Sequence, residues 1–438
     1  MKLQRLLPAL AVAAAIGNAG AADLITVYRD ALVSDPVYQQ NRATYMAAIE
    51  RYPQARAGYL PLIAGSASIF RNHVEFQGAP TVDYTTKTYA VTLSQPIFRM
   101  QNWIAIGQSR HQVLNAEANF ANSQQDLGIR VAQAYFDVLL AQDNVALSET
   151  QKSAIDQQLA QAKRNFEVGT ATIVDTLEAQ ARYDQSSAKE IADKNDLEVK
   201  RRALQVLLGK LPESLTPLRE PLELAPPMPD DIEAWVSAAE KSSFQIAAAR
   251  ENYEAFRDEV ARQRAGHLPT LDLSGSYSRN DSPTNATPPI IGPVVNTSSI
   301  GLTLAIPIYS GGLTQSRVRE ALANRDRAEQ DFENTRRTVA QAVRTNFLNV
   351  TSGIALVRAL EQALTSTRSQ LDSTILGRDV GVRTSVDVLN AQQQVFQSRR
   401  DLQQARYNYL LSTLRLKAAA GILTDADIEA VNRTLARG

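Results

Sequence analysis

From Val343 onward the chain places an apolar residue at every seventh position, at Val350, Val357, Leu364 and Leu371, with Phe347 and Ile354 four residues after the first two. Ala, Gln, Arg and Glu fill the intervals, and a heptad sustained this far predicts a helix that packs as a coiled coil. The same track runs 212 residues earlier through Val131, Val138, Val145, Leu159 and Phe166, broken only by Lys152. No proline lies between Pro96 and Pro212 or anywhere after Pro307, so each track can occupy one uninterrupted helix. At 1.5 Å per residue a helix from Asn102 to Glu167 reaches ~100 Å, while an opening helix (Leu24 to Arg56) and a returning helix (Ile173 to Leu208) reach ~50 Å each.

Ahead of each track the period changes from seven to two. Leu271, Leu273 and Tyr277, and then Leu302, Leu304 and Ile306, alternate with Ser, Thr and Asp, the pattern of a strand with one wet face. Four runs of this kind are expected, roughly Leu60 to Phe70, Lys87 to Ile97, Leu268 to Ser278 and Ser298 to Ile308. About 11 residues is the length of a tilted membrane-spanning strand, but an ordinary hairpin packed on a helix uses the same pattern.

The order of these pieces is written twice. Arg56-Ala57-Gly58-Tyr59-Leu60-Pro61 returns as Arg264-Ala265-Gly266-His267-Leu268-Pro269 at a spacing of 208. Val91-Thr92-Leu93 with Pro96-Ile97-Phe98 returns as Leu302-Thr303-Leu304 with Pro307-Ile308-Tyr309 at 211, and Val168-Gly169 with Val174-Asp175 returns as Val380-Gly381 with Val386-Asp387 at 212. The expected organisation is a tandem duplication, residues 22–210 and 231–438, each half consisting of helix, two strands, long helix and return helix. The linker 211–230 carries prolines at 212, 217, 221, 226, 227 and 229 and cannot hold a regular helix.

Residues 1–21 read as a secretory signal: Lys2 and Arg5, the apolar run Leu6 to Ile16, then Ala19-Gly20-Ala21. No later stretch approaches 18 consecutive apolar residues, so an exported chain that enters a membrane must do so with strands. The 438 residues hold 46 basic and 46 acidic side chains and no cysteine. Electrical balance argues against nucleic acid as a partner, and the missing thiols exclude disulfides, thiolate metal sites and lipid attachment through cysteine. There is no phosphate-binding glycine loop and no serine elbow, and His73, His111 and His267 have no ligand spacing, so neither enzyme chemistry nor a cofactor is expected.

Four strands leave two open edges that hydrocarbon would not tolerate, and a membrane barrel needs about eight strands or more. Closure therefore demands several copies; two give 8 strands and three give 12. Here the residues resemble a known family, the TolC family of trimeric outer-membrane efflux and secretion ducts. The resemblance spans nearly the whole mature chain. It is carried most specifically by Gly266-His267-Leu268-Pro269-Thr270-Leu271-Asp272-Leu273, Pro307-Ile308-Tyr309-Ser310-Gly311-Gly312 and Val380-Gly381-Val382-Arg383-Thr384-Ser385-Val386-Asp387-Val388-Leu389. It implies a mainly α fold with a β-barrel portion, completed in a homotrimer as a 12-stranded barrel in the outer membrane and a 12-helix barrel in the periplasm of a Gram-negative bacterium. It also implies the exit duct of a tripartite efflux pump or type I secretion system, engaged by a periplasmic adaptor (membrane fusion) protein and an inner-membrane transporter of the RND, MFS or ABC kind. A soluble periplasmic coiled-coil adaptor or chaperone is the rival; it would share the signal and the heptads without needing four matched strands.

The helix tips carry the candidate chemistry. Val168-Gly169 and Val380-Gly381 fall where one helix reverses into the next, and Thr172-x-x-Asp175 and Thr384-x-x-Asp387 read as capping boxes. The resemblance implies more for the same residues. Asp387 and Asn390 match two acidic positions that line the periplasmic entrance and bind cations, so here a ring of three charges is expected rather than six. Asp175 and Arg383 match partners in the network that closes the family's iris. Arg378 stands where that network has a tyrosine, and an ion pair from it, to Asp175, is expected instead. Val168, Gly169, Thr170, Val380, Gly381 and Val382 match the adaptor contacts. The loops from His73 to Thr86 and from Asp281 to Asn296 are expected to face outside.

Overall fold

The computed structural model describes residues 21–75, 78, 81–170, 172–282 and 293–436. The signal-like residues 1–20 lie outside them, as do residues 76–77, 79–80 and 283–292 of the two expected outer loops. The elements run α1 (Leu24–Ser34), α2 (Pro36–Ile49), α3 (Arg51–Ala57), β1 (Leu62–Val74), β2 (Val82–Phe98), α4 (Met100–Glu167) and α5 (Ile173–Leu208). The second half repeats this with α6 (Ile232–Ser242), α7 (Phe244–Arg264), β3 (Thr270–Asp281), β4 (Val294–Ala305), α8 (Leu313–Asp379) and α9 (Ser385–Ala419), and closes with α10 (Asp425–Asn432). No helix lies between α5 and α6.

Three boundaries differ from expectation. The opening helix is divided, because Asp35 leaves the helical conformation to cap the next segment through Tyr38 N–H (2.9 Å) and Pro36 occupies its first position. Its counterpart divides at Ser243, which is extended (φ −65°, ψ 122°). The hairpins also pair further outward than their apolar runs, since Val74 faces Val82 and Asp281 faces Val294, so parts of both expected loops are strand. Polar cross-strand pairs sustain those ends: Asn72 Nδ2 donates to Thr86 Oγ1 at 3.0 Å, and His73 Nδ1 lies 2.8 Å from Asp83.

The chain folds into two compact units, each drawing on separated stretches of sequence. One takes the residues up to Gln39, Gln125–Trp235 and those from Val343 on. In it the heptad valines Val131, Val138, Val343, Val350 and Val357 are buried together with Tyr135, Phe136, Leu139, Leu414 and Leu416. The Tyr135 and Phe136 rings meet edge to face at 5.9 Å, and the Tyr135 hydroxyl donates to the Thr216 carbonyl of the linker at 2.8 Å. The linker is sewn in by backbone bonds, Ala22 N–H to Ser214 O (2.9 Å), Arg219 N–H to Thr434 O (2.9 Å) and Ala436 N–H to Pro217 O (2.8 Å). Lys152, the break in the first heptad, contributes an ion pair where its neighbours contribute apolar contact: Nζ lies 2.8 Å from Glu190 of α5, which also holds Lys194.

The other unit, Gln40–Gln124 with Val236–Ala342, contains the sheet. Its order is β1-β2-β3-β4, every pair antiparallel, so among the described residues β1 and β4 each have one edge unpaired. The register sorts the side chains sharply. Ile63, Leu93, Gly275 and Ile300 stand in one row, and Gly65, Val91, Tyr277 and Ser298 in the next; Leu273 and Leu302 extend the same face. The opposite face carries Ala64, Thr92, Ser276 and Ser299, then Ser66, Ala90, Ser278 and Thr297, with the Ser276 and Ser299 hydroxyls 2.8 Å apart. The apolar face is not packed away: Ile63, Val91, Tyr277, Ile300, Leu302 and Leu304 are all exposed. A soluble hairpin on a helix buries such a face; a barrel strand turns it to lipid and its Ser/Thr face to water.

Candidate functional site

The two helical reversals, α4 to α5 and α8 to α9, are built alike. Gly169 and Gly381 take φ of +74° and +82°, the left-handed conformation that ends a helix and that a side chain would strain. At the first tip Thr170 N–H returns to Asn165 O (2.8 Å); at the second Val382 N–H returns to Gly377 O (2.9 Å), satisfying carbonyls the ending helix leaves over. Arg383 crosses close to Gly377, where a Cβ would meet its Cγ at 2.8 Å, so only glycine lets the chain turn back this tightly.

Both capping boxes are complete. Thr172 N–H and Oγ1–H donate to Asp175 Oδ2 (2.9 and 2.8 Å), and Asp175 N–H donates back to Thr172 Oγ1 (3.3 Å). Thr384 and Asp387 repeat the pattern at 2.9, 3.0 and 3.1 Å. The backbone and hydroxyl donors of Thr172 hold the Asp175 carboxyl below the usual aspartate range, and those of Thr384 do the same for Asp387, helped by the Arg383 charge. Depressed folded values mean that the stability from these caps is fully present above the unfolded value and is lost only as pH falls through the lowered one. At neutral pH both tips carry full negative charge.

The remaining site residues divide. Val168, Val380 and Val382 are 72%, 67% and 75% exposed, as are Ile173, Val174 and Leu177 in smaller measure, so each tip offers apolar surface to water. Arg378 forms no ion pair with Asp175 among the described residues of one chain. Its Nη2 lies 2.7 Å from Oδ1 of the adjacent Asp379, a partner fixed by sequence neighbourhood, while the Asp175 Oδ2 is occupied by its own cap. Arg383 forms no side-chain ion pair among the described residues. Asn390 accepts from Arg182 Nη2 at 3.0 Å, a contact that sequence gave no sign of. Nor did it show the pair that ties α4 to the start of the chain, Arg130 with the buried Asp35, where Nη2 and Oδ2 are 2.8 Å apart. A third box stands ahead of α10, where Thr424 N–H donates to Asp427 Oδ2 (2.8 Å). No group of three or more His, Asp or Glu among the described residues is placed to hold a metal ion.

A family model described as outer membrane efflux protein matches residues 27–210 and 235–422. The outer membrane protein TolC of Vibrio cholerae is 33% identical over 437 residues, 99% of either chain. The alkaline protease secretion protein AprF of Pseudomonas aeruginosa is 30% identical over 430 residues, 96% of this chain and 89% of that one. Among solved structures the Campylobacter jejuni CmeC outer membrane channel superposes with a TM-score of 0.80 at 16% identity, covering 94% of this chain and 90% of its own. At that identity the likeness is one of fold.

Proposed function

We propose, from the premise that this chain belongs to the outer membrane efflux protein family and is an outer-membrane exit duct of efflux or secretion systems, that three copies close one channel and that the α4–α5 and α8–α9 tips form its periplasmic mouth. The observation that carries the closure is the sheet: four antiparallel strands, an apolar face in the open, a Ser/Thr face behind it, and two unpaired edges. Joining β4 of one copy to β1 of the next satisfies both edges, and three copies make an even barrel of 12 strands whose apolar face meets lipid. A soluble coiled-coil adaptor or chaperone has no use for such a sheet.

The mouth follows from the tips. Three copies turn Asp387 into a ring of carboxylates, with Asn390 one turn above it, and like charges gathered round a passage focus a field that favours cations. The exposed valines, with Gly169, Thr170 and Gly381, supply the surface for a periplasmic adaptor. Residues 1–21 direct export and are removed. The duct itself holds no energy source, so an inner-membrane transporter of the RND, MFS or ABC kind drives it, and that transporter selects drug or protein cargo.

The gate is an iris closed by ties between tips. Asp175 and Arg383 are its charged members, and among the described residues Arg383 forms no side-chain ion pair, which leaves its guanidinium available to a neighbouring copy. Arg378, held by Asp379, contributes as a local pair at the surface, and such pairs contribute ~0–1 kcal/mol. Replacing Arg383 by serine is expected to raise single-channel conductance in a planar bilayer, because the mouth relaxes outward. Conductance equal to that of the parent protein would remove Arg383 from the gate.

A further inference from the structure

One residue of α5 engages the face of α9 directly above Asp387. Arg182 donates from Nη2 to Asn390 Oδ1 and from Nη1 to Gln393 Oε1, each at 3.0 Å. Asp387, Asn390 and Gln393 follow one another at intervals of three, so they climb the same side of the helix. Both acceptors are neutral amides. The guanidinium therefore keeps its whole charge, and among the described residues it forms no ion pair, although Glu178 sits four residues before it on α5. Three residues of helix rise ~4.5 Å, so the acceptors that hold this cation begin about one helical turn beyond Asp387.

We infer that Arg182 is a selectivity-determining residue of the entrance, placing a positive ring just above the Asp387 ring and offsetting its field. The inference rests on the reading of Asp387 as a residue of the pore mouth. With one Asp387 and one Arg182 per copy, the charges of the two levels cancel, and an ion passing the tips meets a negative ring and then a positive one. Asn390 is then more than a missing carboxylate. Its amide oxygen positions the arginine, with Gln393 as the second acceptor fixing the guanidinium plane.

The experiment is the reversal potential of the full-length channel in a planar bilayer across a potassium chloride gradient at low salt. Arg182→Gln keeps a hydrogen-bonding side chain and removes the charge; it is expected to raise the cation-to-anion permeability ratio at least about twofold, and the rise should shrink in 1 M salt, where screening is ~3 Å. Arg182→Lys, which restores the charge, is expected to bring the ratio back toward that of the parent protein. An unchanged ratio in Arg182→Gln, or the same rise in Arg182→Lys, would overturn the inference. Asp387→Asn separates the two layers of the argument. If it lowers the ratio while Arg182→Gln does nothing, only the role of Arg182 fails; if it too does nothing, the mouth is not at this tip and both readings fall.

Discussion

A channel carrying Ile300→Arg is expected to be missing from the outer membrane, whereas one carrying Ser276→Arg is expected to assemble there and conduct less. The two residues lie at mid-strand in paired strands, yet the register puts them on opposite faces. Ile300 faces Gly275 in the row of Leu93 and Ile63, and is 79% exposed; Ser276 faces Ser299. An arginine turned to lipid near the bilayer midplane costs ~2–4 kcal/mol, and a closed trimer carries three of them. An arginine in a water-filled lumen keeps its hydration and acts only by narrowing the passage and adding positive charge. The check is the amount of heat-modifiable oligomer in outer-membrane fractions, with bilayer conductance for whatever assembles. Should Ile300→Arg assemble normally and Ser276→Arg fail, the faces are assigned the wrong way round.

The second large effect lies away from the membrane. Arg130→Ala is expected to destabilise the unit built on the start of the chain by about 3–5 kcal/mol, because it strands a buried carboxylate. The Asp35 side chain is 2% exposed and receives Arg130 Nη1 on Oδ1 (3.3 Å) and Nη2 on Oδ2 (2.8 Å), with Tyr38 N–H also on Oδ2. Burial pushes the Asp35 pKa up, but the hydrogen bonds from Arg130 and Tyr38 outweigh it and hold the carboxyl below its usual range. The stability this group adds is thus present above the unfolded aspartate value and disappears as pH falls through the lowered one. Denaturant midpoints followed by fluorescence should show the loss, and Asp35→Asn in the Arg130→Ala background should recover much of it, since a neutral amide tolerates burial better than an unpaired anion. A single mutant as stable as the parent would mean that water replaces Arg130 at Asp35.

These two sites mark what the sequence could and could not disclose. The faces of the sheet were readable because alternation is local and the two halves repeat it. The tips were readable for the same reason: a glycine at the reversal and Thr-x-x-Asp three residues on act within one turn of helix. The heptads located the seam of α4 and α8, and its burial holds at Val343, Val350 and Val357 but lapses at Phe166, which is 44% exposed near the end of α4. Polar contacts across long separations left no periodic trace. Arg130 with Asp35, Lys152 with Glu190 and Arg182 with Asn390 join residues far apart in sequence, and each single residue looks like ordinary helix surface. For Arg378 the resemblance supplied a distant partner, whereas within one chain its contact is with the adjacent Asp379.

Whether one chain supplies a third of a channel is decided by the number of chains in the purified, detergent-solubilised particle. Mass measurement by native mass spectrometry or light scattering with the detergent contribution removed should give three copies, resistant to dissociation until heated. A particle of one chain, or of two, would contradict closure of four open-edged strands into a barrel of 12.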